Sequence, residues 1–201
     1  MRRALWILAA AALVAAGAGA VTALRTTSTG PTHWSLAQVK AALVPLSEMP
    51  AGTEPVKFVG GGSSDSSLCT KAGPRANPLV HAQASFAYVS RVNGIPSRAE
   101  DLFEVVSAYD KGTAAHLLND LRKPSRCPTE VSPLAFPRVA SDQVSFQLTI
   151  PNLGRVDFIY LRVNDSAIVA VSAEFPSGSP DARTVTFARK AYTRAKSKLG
   201  G

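Results

Sequence analysis

A glycine- and serine-rich segment, FVGGGSSDSSLCT at residues 58–70, is the first place in the chain to look for chemistry. Backbone N–H groups in such a loop can cradle a phosphate or an oxyanion. A P-loop requires a lysine at the start of a helix, and a nucleophile elbow requires Gly-x-Ser-x-Gly. Neither pattern is present, because no lysine is in place and Asp65 stands where the second glycine would be. The segment therefore indicates a surface loop leading to Cys69.

The titratable side chains do not form a recognisable catalytic set. Three histidines lie far apart in the sequence, at His33, His81 and His116. None has the spacing of a zinc site. The close carboxylate pairs are Asp101 with Glu104 and Asp165 with Glu174. Both pairs fit solvated turn and strand-edge positions better than an acid and a base. We therefore expect no enzyme activity, no metal site and no cofactor.

The N-terminal residues predict export from the cytoplasm. Arg2 and Arg3 precede an uncharged run, 4–24, with small residues at 18–20. This order is typical of a signal peptide with an A-x-A cleavage site. The alternative is an uncleaved anchor to about residue 24, because the run is long enough to span about 30 Å of hydrocarbon. We expect a signal peptide at 1–20, a polar tether at 21–34 and a single domain at 35–201.

Either alternative places the domain outside the cytoplasm, secreted or tethered to the outer face of the cytoplasmic membrane. The chain contains two cysteines, Cys69 and Cys127. An even number of cysteines in an oxidising compartment predicts a disulfide, and two unpaired buried thiols are the alternative.

The chain carries a net charge of +8, which favours anionic surfaces such as phospholipid headgroups and acidic wall polymers. The preferred interpretation of this modest excess is nevertheless a basic surface that is merely solvated. The basic residues are scattered except in the C-terminal helix, and they lack the interleaved aromatic residues of a nucleic-acid stripe. We therefore expect no nucleic-acid partner.

Hydrophobic periodicity predicts an α+β protein. Ser35 and Gln38 form a capping box that opens a short helix ending before Pro45. A second helix runs from Thr113 to about Lys123, with four residues facing inward: Ala114, Leu117, Leu118 and Leu121. The remaining predicted elements are strands at 85–92, 102–109, 143–150, 155–163 and 166–174, and a helix from Pro180 to Leu199.

The three-strand meander is expected to have two unlike faces. Its first hairpin suits an odd-length loop with Leu148 opposite Phe158, and its second pairs Val163 with Ser166. One face then belongs against helices and carries Phe146, Leu148, Phe158, Tyr160, Val169 and Val171. The other face mixes polar with apolar side chains. It is the expected floor of a ligand-binding cleft, formed by Gln147, Thr149, Asp157, Ile159, Leu161 and Ser172.

Two stretches resemble a known family: FEVVSAYDKGTAAHLLNDLRKPSRCP at 103–128 and FARKAYTRAKSKL at 187–199. They are similar to the PknH-like extracellular sensor domain of actinobacterial serine/threonine kinases, across residues 35–199. The resemblance implies an antiparallel sheet with helices on one face, a cleft on the other and a ligand-sensing role. It also implies a bridge between Cys69 and Cys127. The chain departs from the family in having no kinase domain and one cysteine pair where two disulfides can occur.

These observations predict a non-enzymatic sensor-type or ligand-binding protein of the cell envelope. Its ligand would be a small or lipid-like molecule, and the N-terminal segment would attach it to the membrane if it is not cleaved. The alternative is a protein–protein interaction module of the cell wall or membrane surface, with an envelope protein as its partner.

Overall fold

The computed structural model describes residues 34–56, 78–92, 95–123, 131–150, 154–175 and 182–200. The predicted signal segment, most of the tether, the glycine-rich loop, Cys69 and Cys127 lie outside the described residues, so the predicted disulfide stays a prediction. Within the described ranges, no helix has both the length and the apolar character needed to cross a membrane.

The fold is built on one antiparallel sheet of seven strands, in the spatial order β1-β2-β3-β7-β6-β5-β4. The strands are β1 Thr53–Pro55, β2 Val80–Val92, β3 Ile95–Ala108, β4 Val131–Pro133, β5 Gln143–Ile150, β6 Gly154–Asn164 and β7 Ala167–Phe175. With the helices, this confirms the α+β class. The sequence did not predict β1 and β4, because three residues are too few to show alternation.

The described residues include three α-helices and one short 3-10 helix beside the sheet: α1 Leu36–Ala41, the 3-10 helix Leu46–Glu48, α2 Thr113–Leu121 and α3 Ala182–Leu199. The capping box is confirmed. The Gln38 N–H donates to Ser35 Oγ at 3.3 Å, and the Ser35 N–H donates to Gln38 Oε1 at 2.8 Å. All four residues predicted to face inward on α2 are buried.

The first hairpin of the meander has the odd-length loop that the face pattern predicted. Ile150 pairs with Gly154, so three residues separate the paired ends. The predicted partners were wrong, since Phe158 lies opposite Phe146 and not Leu148. The predicted register differs from the observed register by an even number of residues. For that reason Phe146, Leu148, Phe158 and Tyr160 still share one face.

The second hairpin differs from the prediction by one residue. The register of β6 with β7 shifts between Arg162 and Asn164, which makes Val163 an extra residue. Leu161 therefore pairs with Val169 and not with Ile168. A one-residue shift moves every side chain of β7 to the opposite face relative to β6. As a result, Val169 and Val171 lie on the same face as Leu161, contrary to the prediction.

Helices cover both faces of the sheet, which corrects the expectation of helices on one face. One face, the α3 face, packs Ile159, Leu161 and Val169 into a core with residues of α1 and α3. The other, the α2 face, packs Phe146, Phe158 and Tyr160 with the inward residues of α2. Because β6 and β7 are apolar on both sides, each side must be removed from water by a covering layer.

Candidate functional site

The residues predicted to floor a cleft do not lie on one face. Gln147 pairs with Asp157 and Thr149 with Arg155, so these positions share the α3 face with Ile159 and Leu161. Ser172 pairs with Phe158 and lies on the α2 face. The misplacement of Ser172 follows from the extra residue at Val163.

The α3 face offers no open floor at its centre. Ile159 and Leu161 are fully buried in the core beneath α3. Asp157 is also fully buried, and the guanidinium of Arg155 binds both of its oxygens, at 2.5 Å from Nε and 2.8 Å from Nη2. Gln147 is half-buried and Thr149 is exposed. A ligand-binding role for any of these residues stays a prediction.

Glu104 is the most unusual side chain of the α3 face. It lies in the middle of β3 between Ala84 of β2 and Val171 of β7, and it is fully buried. The interpretation of Glu104 as a solvated edge residue was therefore wrong. Strand β3 begins at Ile95 and is central in the sheet, whereas the sequence predicted a strand beginning at Leu102.

The Glu104 carboxyl has one satisfied oxygen and one unsatisfied oxygen. Oε2 accepts a hydrogen bond from the Val44 N–H at 2.8 Å, whereas Oε1 has no hydrogen-bond partner among the described residues. Burial, with a smaller contribution from the nearby Glu48, raises the pKa of Glu104 to about 8, even though the Val44 hydrogen bond and the Arg194 charge lower it. A buried carboxyl with this pKa is largely neutral at pH 7.

The segment above Glu104, residues 42–50, connects α1 to β1 and is called the strap here. Arg194 of α3 donates to the Ala41 carbonyl at 3.1 Å, directly before the strap, and to Glu48 Oε1 at 2.7 Å. Lys190 of α3 donates to the Glu48 carbonyl. Charged side chains of α3 thus hold the strap from outside, and Glu104 holds it from below.

A shallow cleft opens beside the strap, between β2, β3 and the first half of α3. Its interior is small, about 10 Å³, which is room for roughly one water molecule. Met49, Leu102 and Phe187 supply apolar lining, and Arg183 and Lys190 add positive charge. The Arg183 guanidinium lies 4.1 Å from the centroid of the Tyr88 ring, so it also packs against an aromatic face.

The outward surface of α3 is strongly basic. The helix carries six cationic residues and no acidic residue: Arg183, Arg189, Lys190, Arg194, Lys196 and Lys198. Its buried side consists of Thr184, Phe187, Ala188, Ala191, Ala195 and Leu199. Arg189, Lys196 and Lys198 are exposed, while Lys190 and Arg194 are half-buried against the strap. The sequence predicted this concentration of charge but not which cations hold the strap.

The described side chains include no assembled metal site. No group of three or more His, Cys, Asp or Glu is placed to hold a metal ion in that part of the chain. His81 and His116 are both exposed.

Comparisons with protein-family models, with curated proteins and with solved structures found no match to this chain. The resemblance to the PknH-like sensor domain therefore stays a prediction.

Proposed function

We propose that the chain is a non-enzymatic binding protein of the cell envelope that docks on an anionic phospholipid surface through the basic outer side of α3. The observation that carries this proposal is the charge of that helix, six cations without an acid in 18 residues. A cation near an anionic bilayer contributes about 1 kcal/mol. Exposed Arg189, Lys196 and Lys198 together therefore give a weak, reversible attachment.

The route of the chain favours a membrane over a wall polymer. The predicted tether leads into α1, and Arg194 of α3 bonds to the Ala41 carbonyl at the end of α1. The predicted anchor would thus emerge beside the basic helix. With the anchor ending at about residue 24, residues 25–34 reach at most roughly 35 Å at about 3.4 Å per residue, so the helix would stay near the headgroups. Tethering raises the effective concentration of the surface, and weak contacts then suffice.

Vesicle co-sedimentation of the chain from residue 21 onward tests this proposal. We expect binding to vesicles containing phosphatidylglycerol, weaker binding at high salt because exposed charges are screened, and none to pure phosphatidylcholine. The triple change R189Q/K196Q/K198Q should reduce binding by about 100-fold, the equivalent of three contacts of about 1 kcal/mol. Its matched control removes three exposed cations elsewhere: Lys111, Lys123 and Arg138.

The two triple variants have the same net charge. Equal loss of binding in both would show a general charge effect and contradict a role for α3. Absence of binding to phosphatidylglycerol vesicles would also contradict the proposal.

A second candidate function is capture of a small anionic amphiphile at the cleft beside the strap, which would have to widen to hold more than a water-sized group. The specific observation is the combination of apolar Met49, Leu102 and Phe187 with cationic Arg183 and Lys190. The ligand class is the lipid-like molecule predicted from the sequence. Its proposed site is the cleft beside the strap and not the buried centre of the α3 face. A few placed polar groups in an apolar lining are typical of ligand sites.

Native mass spectrometry of the protein recovered from its own envelope tests the second candidate. We expect an adduct that is lost on denaturation and reduced in Met49→Trp, which fills the cleft. The matched control is Leu46→Trp, because Leu46 is exposed and does not line the cleft. A bare mass for the unchanged protein would contradict this candidate. The same spectra, with and without reductant, report the predicted disulfide.

A further inference from the structure

The strap is held to the body of the protein by an unusual mixture of contacts. Ala42 and Val44 are buried in the core of the α3 face, which favours the closed position. Within the described part of the chain, the strap's long-range polar contacts all involve ionisable side chains: Glu104 to the Val44 N–H, Lys190 to the Glu48 carbonyl and Arg194 to the Glu48 carboxylate. Its other backbone hydrogen bonds among the described residues are local, such as Met49 N–H to the Leu46 carbonyl at 3.0 Å.

The unsatisfied oxygen of Glu104 makes the closed position sensitive to charge. When the buried carboxyl is neutral, the unpaired Oε1 costs a moderate amount of folding free energy. When the carboxyl is ionised, a full negative charge is buried with a single hydrogen bond to stabilise it, which costs much more. Moving the strap away would admit water to both oxygens. Opening is therefore the direct way to relieve an ionised Glu104.

We propose that the strap is a latch whose closure over the sheet is controlled by the protonation of Glu104. With Glu104 neutral, the strap is closed. With Glu104 ionised, the population of the open position increases. This inference goes beyond the proposed function and does not depend on it.

Few charged groups face Glu104, which makes its own ionisation the controlling event. Arg194 from α3 favours the ionised form, and Glu48 from the 3-10 helix opposes it. The adjacent strands place Ala84 and Val171 beside it. Arg194 also bonds to Glu48, so its charge is shared between the two carboxyl groups.

Opening would change both surfaces near α3. Met49 and Pro50 form part of the cleft wall, so movement of the strap widens the cleft. Lys190 and Arg194 would lose Glu48 as a partner and add their charge to the basic side of α3. The latch thus gives the exposed surface two states with different charge.

Amide hydrogen exchange of the whole chain from residue 21, followed at the Val44 N–H, tests the latch. The pKa of Glu104 is about 8 in the closed state against an ordinary 4.5 in water. Opening therefore releases a proton between these values. After correction for the intrinsic exchange rate, we expect Val44 protection to fall about tenfold per pH unit from pH 5 to 7.5 and to level off above pH 8.

Two variants serve as controls. Glu104→Gln keeps an acceptor for the Val44 N–H but cannot ionise, so its protection should be independent of pH. Glu48→Gln leaves Glu104 titratable and should keep the slope. If Glu104→Gln does not fold, the slope of the unchanged protein decides alone.

Low concentrations of urea separate the latch from general unfolding. Opening of the strap exposes much less surface than unfolding of the whole molecule, so Val44 exchange should depend on urea much less than exchange at Ile159 in the core. A flat pH dependence at Val44 would overturn the proposal. So would exchange with the same free energy and urea sensitivity as Ile159, because Glu104 would then be exposed only by unfolding of the whole molecule.

Discussion

The two faces of the sheet are both buried, yet they are built differently. The α2 face contains an aromatic row, with the Phe146 ring centroid 6.1 Å from Phe158 and 5.5 Å from Tyr160. The α3 face is lined on its helix side by small residues such as Ala188, Ala191 and Ala195. Both buried acidic side chains of the described residues, Glu104 and Asp157, lie on the α3 face.

The difference shows how one sheet can have one face whose stability does not depend on pH and another face whose stability does. Burial of aromatic surface does not depend on pH, so the contribution of the α2 face to stability should not change with pH. The buried carboxyl groups of the α3 face depend on their partners, Arg155 for Asp157 and Val44 for Glu104. The α3 face also carries the basic helix and the cleft, so the features of both proposed functions lie on its side.

The largest expected effect is on the α2 face. Phe158→Ala should lower the free energy of unfolding by about 4 kcal/mol, because it leaves a cavity beside Phe146 and beneath α2. Urea denaturation measures this loss. The loss should be the same at pH 5 and pH 7, and Phe158→Leu should recover most of it because it keeps apolar volume. A loss that depends strongly on pH would contradict the assignment of the α2 face as a purely apolar support.

An intermediate effect is expected on the α3 face and should depend on pH. Because the pKa of Glu104 is raised by burial to about 8, the stability it supports is fully present below pH 4.5 and is lost as pH rises towards 8. We expect the free energy of unfolding to fall by about 2 to 3 kcal/mol from pH 5 to pH 7 through this group. Urea denaturation at both pH values measures the fall.

The variant Glu104→Gln isolates this contribution. The variant should lack the pH-dependent contribution of Glu104 and keep those of all other groups. The difference in free energy of unfolding between the variant and the unchanged protein should therefore shift in favour of the variant as pH rises. If the two proteins change in parallel, Glu104 does not carry the pH dependence of the α3 face.

The smallest expected effect concerns the helix that leads into the strap. Ser35→Ala removes the acceptor for the Gln38 N–H and should lower the free energy of unfolding by about 1 kcal/mol. Thermal denaturation measures the change, and Ser35→Thr should retain most of the stability. A loss as large as that of Phe158→Ala would mean that α1 and the α3 face support the fold as strongly as the α2 face, contrary to this comparison.

Local features of this protein could be predicted from the sequence. The Ser35–Gln38 capping box and the inward residues of α2 follow from spacings of three and four residues, which the geometry of a helix dictates. The odd loop after Ile150 follows from alternation, because only that parity keeps Phe146 and Phe158 on one side.

The pairing of β6 with β7 could not be predicted in this way, because it depends on a single extra residue. The shift at Val163 leaves no mark on the alternation of either strand, yet it exchanges the faces of β7 and moves Ser172 away from Asp157. For the same reason the predicted ligand floor included residues of both faces.

The sequence by itself determined the α+β class, the charge of α3 and the approximate position of most elements, because these depend on periodicity and composition within each segment. The tertiary structure alone decided the environment of Glu104. Its hydrogen-bond partner, Val44, lies 60 residues away, and its neighbouring strand β7 lies a further 60 or more residues along the chain. Burial, pKa and control of the strap arise only where these three distant segments meet.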